Sequence, residues 1–154
     1  MEKEQMIEYL RNYKLYKYQA YCIEKDIKKL NNNIFEYNIK LTNIMGINSD
    51  IHSQNKISDK VPNAVIEIEK KREANQKKID ELKLELTCIN QKVEDVDNFL
   101  NALYDHERLV IENFYVNHRS KFDIGENIFL KEFGVPKSEK TITNIINKSF
   151  EKLL

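Results

Sequence analysis

The sequence predicts an all-α protein in which a long antiparallel helical hairpin, a coiled coil, is followed by a small three-helix helix-turn-helix domain. Three observations support this fold class. Apolar residues recur with heptad spacing through two long stretches, the 154 residues include only 3 Gly and 2 Pro, and the last fifty residues change to short amphipathic segments. Sandwiches, barrels and glycine-rich nucleotide folds need many more turns, so they are excluded.

The first predicted helix carries six heptads. With Met6 at position a, every a and d position is apolar or aromatic, which exceeds what one helix on a globular core requires. The a positions are Met6, Tyr13, Ala20, Ile27, Ile34 and Leu41, and the d positions are Tyr9, Tyr16, Ile23, Leu30, Tyr37 and Ile44. Three asparagines at 31–33 lower the helix propensity, so a kink or break is allowed there. We expect the helix to end at Gly46 in a left-handed cap.

Residues 46–60 are polar and lack periodicity, which predicts a loop. The second helix is expected to begin at Ser58 or Asp59, whose side chains can accept hydrogen bonds from free backbone amides. Pro62 then falls in the first turn, where it does least harm. A loop of this length lets the two helices fold back as an antiparallel hairpin.

The second helix has a heptad pattern with two polar exceptions, Arg72 and Asn75. Polar residues in such a seam fix the register or contact a ligand, and the register role is favoured. The a positions are Val65, Arg72, Ile79, Leu86, Val93 and Leu100, and the d positions are Ile68, Asn75, Leu82, Ile89, Val96 and Leu103.

Residues 1–102 are therefore predicted to form a coiled-coil oligomerisation region. Two helices alone shield their seams incompletely, so we expect a homo-oligomer, with a dimer favoured. No apolar run approaches the roughly 18–20 residues of a membrane span, and the charged start shows no signal peptide. We expect no membrane partner and a cytoplasmic location, in a bacterial or phage-infected host cell. Cys22 and Cys88 lie far apart, which indicates free thiols, and no cofactor or metal is predicted.

Residues 103–154 are predicted to form three short helices. Asp105 can cap the first, whose apolar face contains Val110, Ile111, Phe114 and Tyr115. After a polar turn at 117–121, a second helix spans about 122–133, and Gly125 within it permits close helix–helix approach. The residues at 134–137 form a turn, and Ser138 caps a final helix that ends near Leu153.

The final helix has an apolar side and a polar side. The chain has 25 basic and 25 acidic residues, so attraction to DNA must come from local charge, and residues 137–152 contain four Lys against two Glu. The apolar side consists of Ile142, Ile146, Ser149, Phe150 and Leu153. The candidate DNA-binding residues are Lys137, Ser138, Lys140, Thr141, Asn144, Asn147 and Lys148. Lys137, Lys140 and Lys148 would hold phosphates, whereas Asn144 and Asn147, with Thr141 as a further candidate, would face bases.

A helix, a glycine-containing turn and a second helix with a polar outer face are typical of the helix-turn-helix. The alternative is an ordinary amphipathic helix that closes a three-helix core.

A family resemblance favours DNA binding. The run LYDHERLVIENFY at 103–115 resembles the opening helix of the sigma-factor DNA-binding domain. The pair Ile124-Gly125 and the run SEKTI at 138–142 resemble its second helix and the start of its recognition helix. The tail NKSFEKL at 147–153 resembles its usual ending.

The whole chain resembles ArpU-type regulators, which control late genes of phages and prophages, through IEYLRNY at 7–13 and ISDKVPNAV at 57–65. The resemblance implies double-stranded DNA as a partner, with RNA polymerase as a further candidate. This chain has about five extra residues between 124 and 134 and about two between 135 and 141 relative to the sigma pattern. Lys and Asn also stand where Arg is common, so direct readout is expected to favour adenine or to be modest.

Two other functions remain open. A DNA-packaging protein similar to small terminase subunits would also join a helix-turn-helix to an oligomerisation segment, and a coiled-coil scaffold would bind no DNA. Enzymatic activity is not expected, because His52, His106 and His118 fall in separate segments and no nucleophile elbow or phosphate-binding glycine loop is present.

Overall fold

The structure is a computed structural model that describes residues 1–50 and 60–154, with side chains described for 1–44 and 62–154. Every regular element in these residues is helical, and the two long helices pack against each other and are followed by shorter helices, so the predicted fold class is confirmed. The α-helices are α1 (Lys3–Asp50), α2 (Lys60–Asn101), α3 (Asp105–Ile111), α4 (Lys121–Asp123), α5 (Phe129–Phe133) and α6 (Glu139–Leu153). Two π-helical segments, Glu112–Val116 after α3 and Ile124–Ile128 between α4 and α5, complete the helical stretches.

The heptad pattern is reflected in burial. Every predicted a and d position of α1 and α2 is buried or half-buried, and none is exposed. Arg72, the charged a position, is half-buried, and its Nη1 donates a hydrogen bond to Oδ1 of Asn38 on α1 at 3.2 Å. This polar contact between the helices agrees with the predicted register role.

The predicted end of the first helix is wrong. Helix α1 continues through Gly46 to Asp50, and it also runs without a break through the asparagines at 31–33. A single glycine inside a helix costs only about 1 kcal/mol, so it does not by itself end a helix. Helix α2 begins at Lys60, which places Pro62 in the first turn as predicted. The proposed capping residues Ser58 and Asp59 lie outside the described residues.

No helix in the described part of the chain is both long enough and apolar enough to cross a membrane.

The chain divides into two compact units, which we describe separately. Unit 2 comprises residues 21–87, which include the C-terminal part of α1 and the N-terminal part of α2. Unit 1 comprises residues 1–20 and 88–154, so the start of α1 and the end of α2 belong with the short helices. The predicted boundary after residue 102 separates the heptad helices from the short helices. In unit 1, residues on both sides of this boundary belong to the same compact unit.

One hydrophobic core holds unit 1 together. Its members come from both long helices, from α3, α5 and α6, and from the two π-helical segments: Met6, Leu10, Val96, Phe99, Leu100, Leu103, Val110, Ile111, Tyr115, Val116, Ile124, Phe129, Ile142, Ile146 and Phe150. The ring of Phe150 stacks on Phe99 with centroids 5.2 Å apart and meets Tyr115 edge-on at 5.8 Å. Aromatic pairs in these geometries stabilise a core beyond the area they bury. Helix α6 is therefore anchored on both α2 and the helical stretch that contains Tyr115.

Polar contacts also join the long helices in unit 1. The hydroxyl of Tyr13 donates a hydrogen bond to Oδ1 of Asp97. The pKa of Tyr13 is raised, mainly because the group is partly buried and secondly because of this hydrogen bond. The ammonium of Lys92 lies 5.6 Å from the ring centroid of Tyr9 and 5.0 Å from that of Tyr16. These contacts use tyrosines at heptad positions, which place an apolar ring in the seam and a polar end at its edge.

The predicted cap of α3 is wrong by one residue. Tyr104 is the N-cap, and Asp105 is the first helical residue, where its charge still complements the helix dipole. The backbone N–H of Tyr104 donates to Oε2 of the buried Glu107 at 3.0 Å. Nζ of Lys152 lies 3.6 Å from that same oxygen and 3.6 Å from the centroid of the Tyr104 ring. The end of α6 is thus attached to the start of α3.

Candidate nucleic-acid interface

Helix α6 begins at the predicted cap. Oγ of Ser138 accepts a hydrogen bond from the backbone N–H of Thr141 at 3.3 Å, and the two side-chain oxygens of these residues lie 3.0 Å apart in a second hydrogen bond. From this start the helix buries Ile142, Ile146 and Phe150 in the unit 1 core. The predicted cap and the predicted apolar face of α6 are confirmed.

The turn before α6 is held by a backbone contact with the preceding helical stretch. The N–H of Lys137 donates to the carbonyl of Gly125 at 3.0 Å. A Cβ atom at Gly125 would lie 2.0 Å from the Lys137 carbonyl oxygen, a distance that no side chain can occupy. Glycine at 125 therefore permits a close approach. The sequence predicts this approach between two helices, whereas the nearest atoms belong to the backbone of the turn, and a side-chain atom of Ile142 in α6 is farther away.

Gly134 ends α5 in a left-handed conformation with φ of 75°. Glycine adopts this conformation without a steric penalty, so the predicted stop and turn are confirmed.

Four of the seven predicted DNA-binding residues form one exposed face of α6. Lys140, Asn144, Asn147 and Lys148 are all exposed and follow the i, i+4, i+7, i+8 spacing of a single helix side. Ile142, Ile146 and Phe150 lie on the opposite side. Among the described residues, neither Lys140 nor Lys148 has an ion-pair partner, so both ammonium groups face solvent. We call these four residues the α6 polar face.

The other three predicted residues lie at the start of the helix. Ser138 is exposed, and Thr141 is half-buried with its hydroxyl bonded to Ser138. Lys137 is half-buried, and its Nζ lies 5.8 Å from the ring centroid of Phe129. In this structure all three hold the turn and the first residues of α6.

Two residues near the end of α6 change the predicted charge of the helix surface. Lys152 is turned towards Glu107 and Tyr104 and does not join the α6 polar face. Glu151 is exposed and lies four residues after Asn147, on the same side. The positive charge is therefore carried by Lys140 and Lys148, and an acid closes the face at its C-terminal end. The helical spacing in the sequence is enough to place Glu151 on this face, whereas the count of charged residues is not.

Cations of α1 lie beside the C-terminal helices in unit 1. Nζ of Lys14 donates to Oδ1 of Asn117 at 2.7 Å, at the turn that precedes α4. In the same region Arg119 pairs with Asp123 at 3.0 Å, and hydrogen bonds from Asn127 and Arg119 lower the pKa of the Asp123 carboxyl. The heptad pattern assigns Lys14 to a separate region, residues 1–102, so the sequence does not predict this contact.

No protein family matches this chain, and neither a curated protein nor a solved structure matches it. The resemblances to the sigma-factor domain and to ArpU-type regulators therefore remain predictions from the sequence.

Proposed function

We propose that this protein is a sequence-specific, double-stranded DNA-binding transcriptional regulator of phage or prophage origin that controls late genes. The observation that carries the proposal is the α6 polar face. It combines two solvent-facing ammonium groups with two amide side chains, on a helix whose other side is buried. A helix presented in this way after a tight turn has the surface that a recognition helix places in the major groove.

The chemistry of the face suggests how the contacts divide. Lys140 and Lys148 are point charges suited to phosphates, and Asn144 and Asn147 can donate to and accept from adenine N7 and N6 in the groove. Recognition helices use their N-terminal residues for base contacts. Asn144 is therefore the better candidate for a base contact, because it lies one turn nearer the N-terminus of α6 than Asn147.

A regulator of this kind reads two half-sites when it is a dimer, about 34–36 Å apart for adjacent turns of DNA. We therefore include a homo-oligomer, with a dimer favoured, in the proposed function. RNA polymerase is a further candidate partner.

Lys140→Ala is expected to weaken binding to all DNA sequences to a similar extent. One lost phosphate contact should also flatten the dependence of log K on log salt concentration by about one unit. Gel-shift titrations over a series of salt concentrations measure both quantities. The matched control is Lys25→Ala, which removes an exposed lysine in unit 2 and should change neither.

Asn144→Ala is expected to reduce the ratio of specific to non-specific affinity, by about 1–3 kcal/mol at one base position, and to leave non-specific binding nearly unchanged. Competition gel shifts with the selected site and with a scrambled site measure this ratio. The proposed face is wrong if both Lys140→Ala and Asn144→Ala bind like the unmodified protein.

Selection of bound genomic fragments by the purified protein tests the function as a whole. An enriched short motif upstream of genes supports the regulator. Enrichment at a packaging site, together with a large ring in light scattering, supports the small-terminase alternative. Failure to retain any DNA at low salt supports the scaffold.

A further inference from the structure

A second exposed surface lies in unit 2, outside the heptad seam. It occupies the b positions, each one residue after an a position, which lie on the same flank of the two helices of an antiparallel hairpin. On α1, Tyr21 and Phe35 are 60% and 66% exposed, and on α2, Ile66 is 49% exposed. Lys28 on α1 and Glu73 and Asp80 on α2 also occupy b positions, and all three are charged and exposed. We define the b-face as Tyr21, Lys28 and Phe35 of α1 with Ile66, Glu73 and Asp80 of α2.

The two halves of the b-face have opposite charge. The α1 half contains two aromatic residues and one cation, Lys28, whereas the α2 half contains Ile66 and two anions, Glu73 and Asp80. Among the described residues, none of these three charged groups has an ion-pair partner. On the opposite flank one ion pair forms within α2, between Lys71 and Glu67 at 3.4 Å.

The seam beneath the b-face is incompletely covered. Ile27, Ile34 and Tyr37 occupy a or d positions of α1 in unit 2 but are only half-buried. Two helices cannot enclose residues at the edges of their seam, and a third or fourth helix laid against the flank covers them further. The apolar members of the b-face are exposed on the flank where such helices would pack.

We propose that the b-face binds the b-face of a second copy of this chain, so that the two unit 2 hairpins form a four-helix bundle. The two-fold axis runs along the hairpins, and α1 of each copy lies on α2 of the other. This inference rests on the homodimer included in the proposed function but not on DNA binding.

Charge favours packing α1 of one copy on α2 of the other over packing α1 on α1. The hydrogen bond of Arg72 to Asn38 shows that these two residues lie at about the same height along the hairpin axis. Ten residues earlier on α1, Lys28 is then level with residue 82 of α2. In the symmetric bundle it lies about 3 Å along the axis from Asp80 of the second copy, and the contact occurs twice. Packing α1 on α1 would instead place no anion of the b-face near Lys28.

The b-face is large enough for a stable dimer. About 22 residues of each helix at 1.5 Å per residue give a length of about 33 Å, and two adjacent helices are about 20 Å wide. Each copy thus covers about 650 Å², or about 1,300 Å² in total, which is within the range of specific protein–protein interfaces.

Charge reversal across the interface tests the proposal on the full chain. Lys28→Glu should weaken self-association about tenfold, because two symmetric attractions become repulsions, and Asp80→Lys should do the same. The double variant Lys28→Glu/Asp80→Lys should restore most of the affinity. The matched controls are Lys29→Glu and Glu81→Lys, which make the same charge changes at exposed neighbouring residues on the other flank and should leave self-association unchanged.

Sedimentation equilibrium over a concentration series measures the association constants of all five variants. Selective loss in the two b-face variants with recovery in the double variant supports the proposal. Equal effects of Lys28→Glu and Lys29→Glu, absence of recovery, or a protein that stays monomeric at every concentration overturns it. Failure of DNA binding in gel shifts with an unchanged dimer would contradict the regulator and leave the b-face proposal intact.

Discussion

Leu10→Ala is expected to destabilise unit 1 by about 2–5 kcal/mol, the usual loss for truncating a fully buried leucine. Leu10 is 0% exposed, and it belongs to a core whose other members include Val110, Ile142 and Phe150 of the C-terminal helices. The substitution lies in α1 but removes contacts from helices more than ninety positions later in the chain. Urea unfolding followed by circular dichroism measures the change in the free energy of unfolding.

Hydrogen exchange shows where the stability is lost. In the Leu10→Ala variant the amides of α6 should exchange faster, because their buried side has lost part of its support. Leu15→Ala is the matched control: it makes the same change on the same helix at a residue that is 49% exposed, and it should alter stability by no more than about 0.5 kcal/mol. Unchanged protection of α6 in Leu10→Ala would show that the stability of the C-terminal helices does not depend on Leu10.

The helices were predictable from local signals. Heptad spacing identifies α1 and α2, and every predicted seam residue avoids exposure. Ser138 as cap and Gly134 as stop define the start of α6 and the end of α5, because each meets a local backbone requirement. The exposed position of Lys140 and Asn144 follows from helical spacing in the same way.

The packing of α1 on the C-terminal helices was not predicted, although the sequence contains a signal for it. In the first five α1 heptads, position e is polar in Lys17, Glu24, Asn31 and Asn38 but apolar in Leu10. An apolar residue outside the a and d stripe of a coiled coil indicates a second packing partner. It does not identify that partner, because side chains distant in sequence meet only in the folded chain.

The end of α1 and the π-helical segments could not be derived from local signals. Gly46 is a good cap residue, yet α1 passes through it. The segments Glu112–Val116 and Ile124–Ile128 have no distinctive composition. A π-helical turn contains one residue more than an α-helical turn. Where such turns form depends on the packing of the whole unit, so local sequence does not locate them.

Gly125→Ala is expected to lower the stability of unit 1 by about 1–3 kcal/mol, as overpacking does in a close-packed interior. Helix propensity alone predicts the opposite sign, since alanine is favoured over glycine by about 1 kcal/mol inside a helix. The contact decides the sign, because the new Cβ would lie 2.0 Å from the Lys137 carbonyl oxygen and a backbone atom cannot rotate away. Urea unfolding compares the free energies of unfolding, and gel shifts test whether displacement of the turn also weakens DNA binding.

Gly134 provides a control with a different physical cause. A Cβ at Gly134 meets nothing within 4 Å, but its φ of 75° is left-handed. Gly134→Ala should therefore cost about 1–2 kcal/mol from backbone strain alone, and Gly134→Asn should cost less, because asparagine tolerates this conformation. At Gly125 the order should reverse, with Asn at least as damaging as Ala, because the conformation is helical and only space is limiting. If Asn were the milder substitution at both glycines, the close contact with Lys137 would not be the reason that glycine is required at position 125.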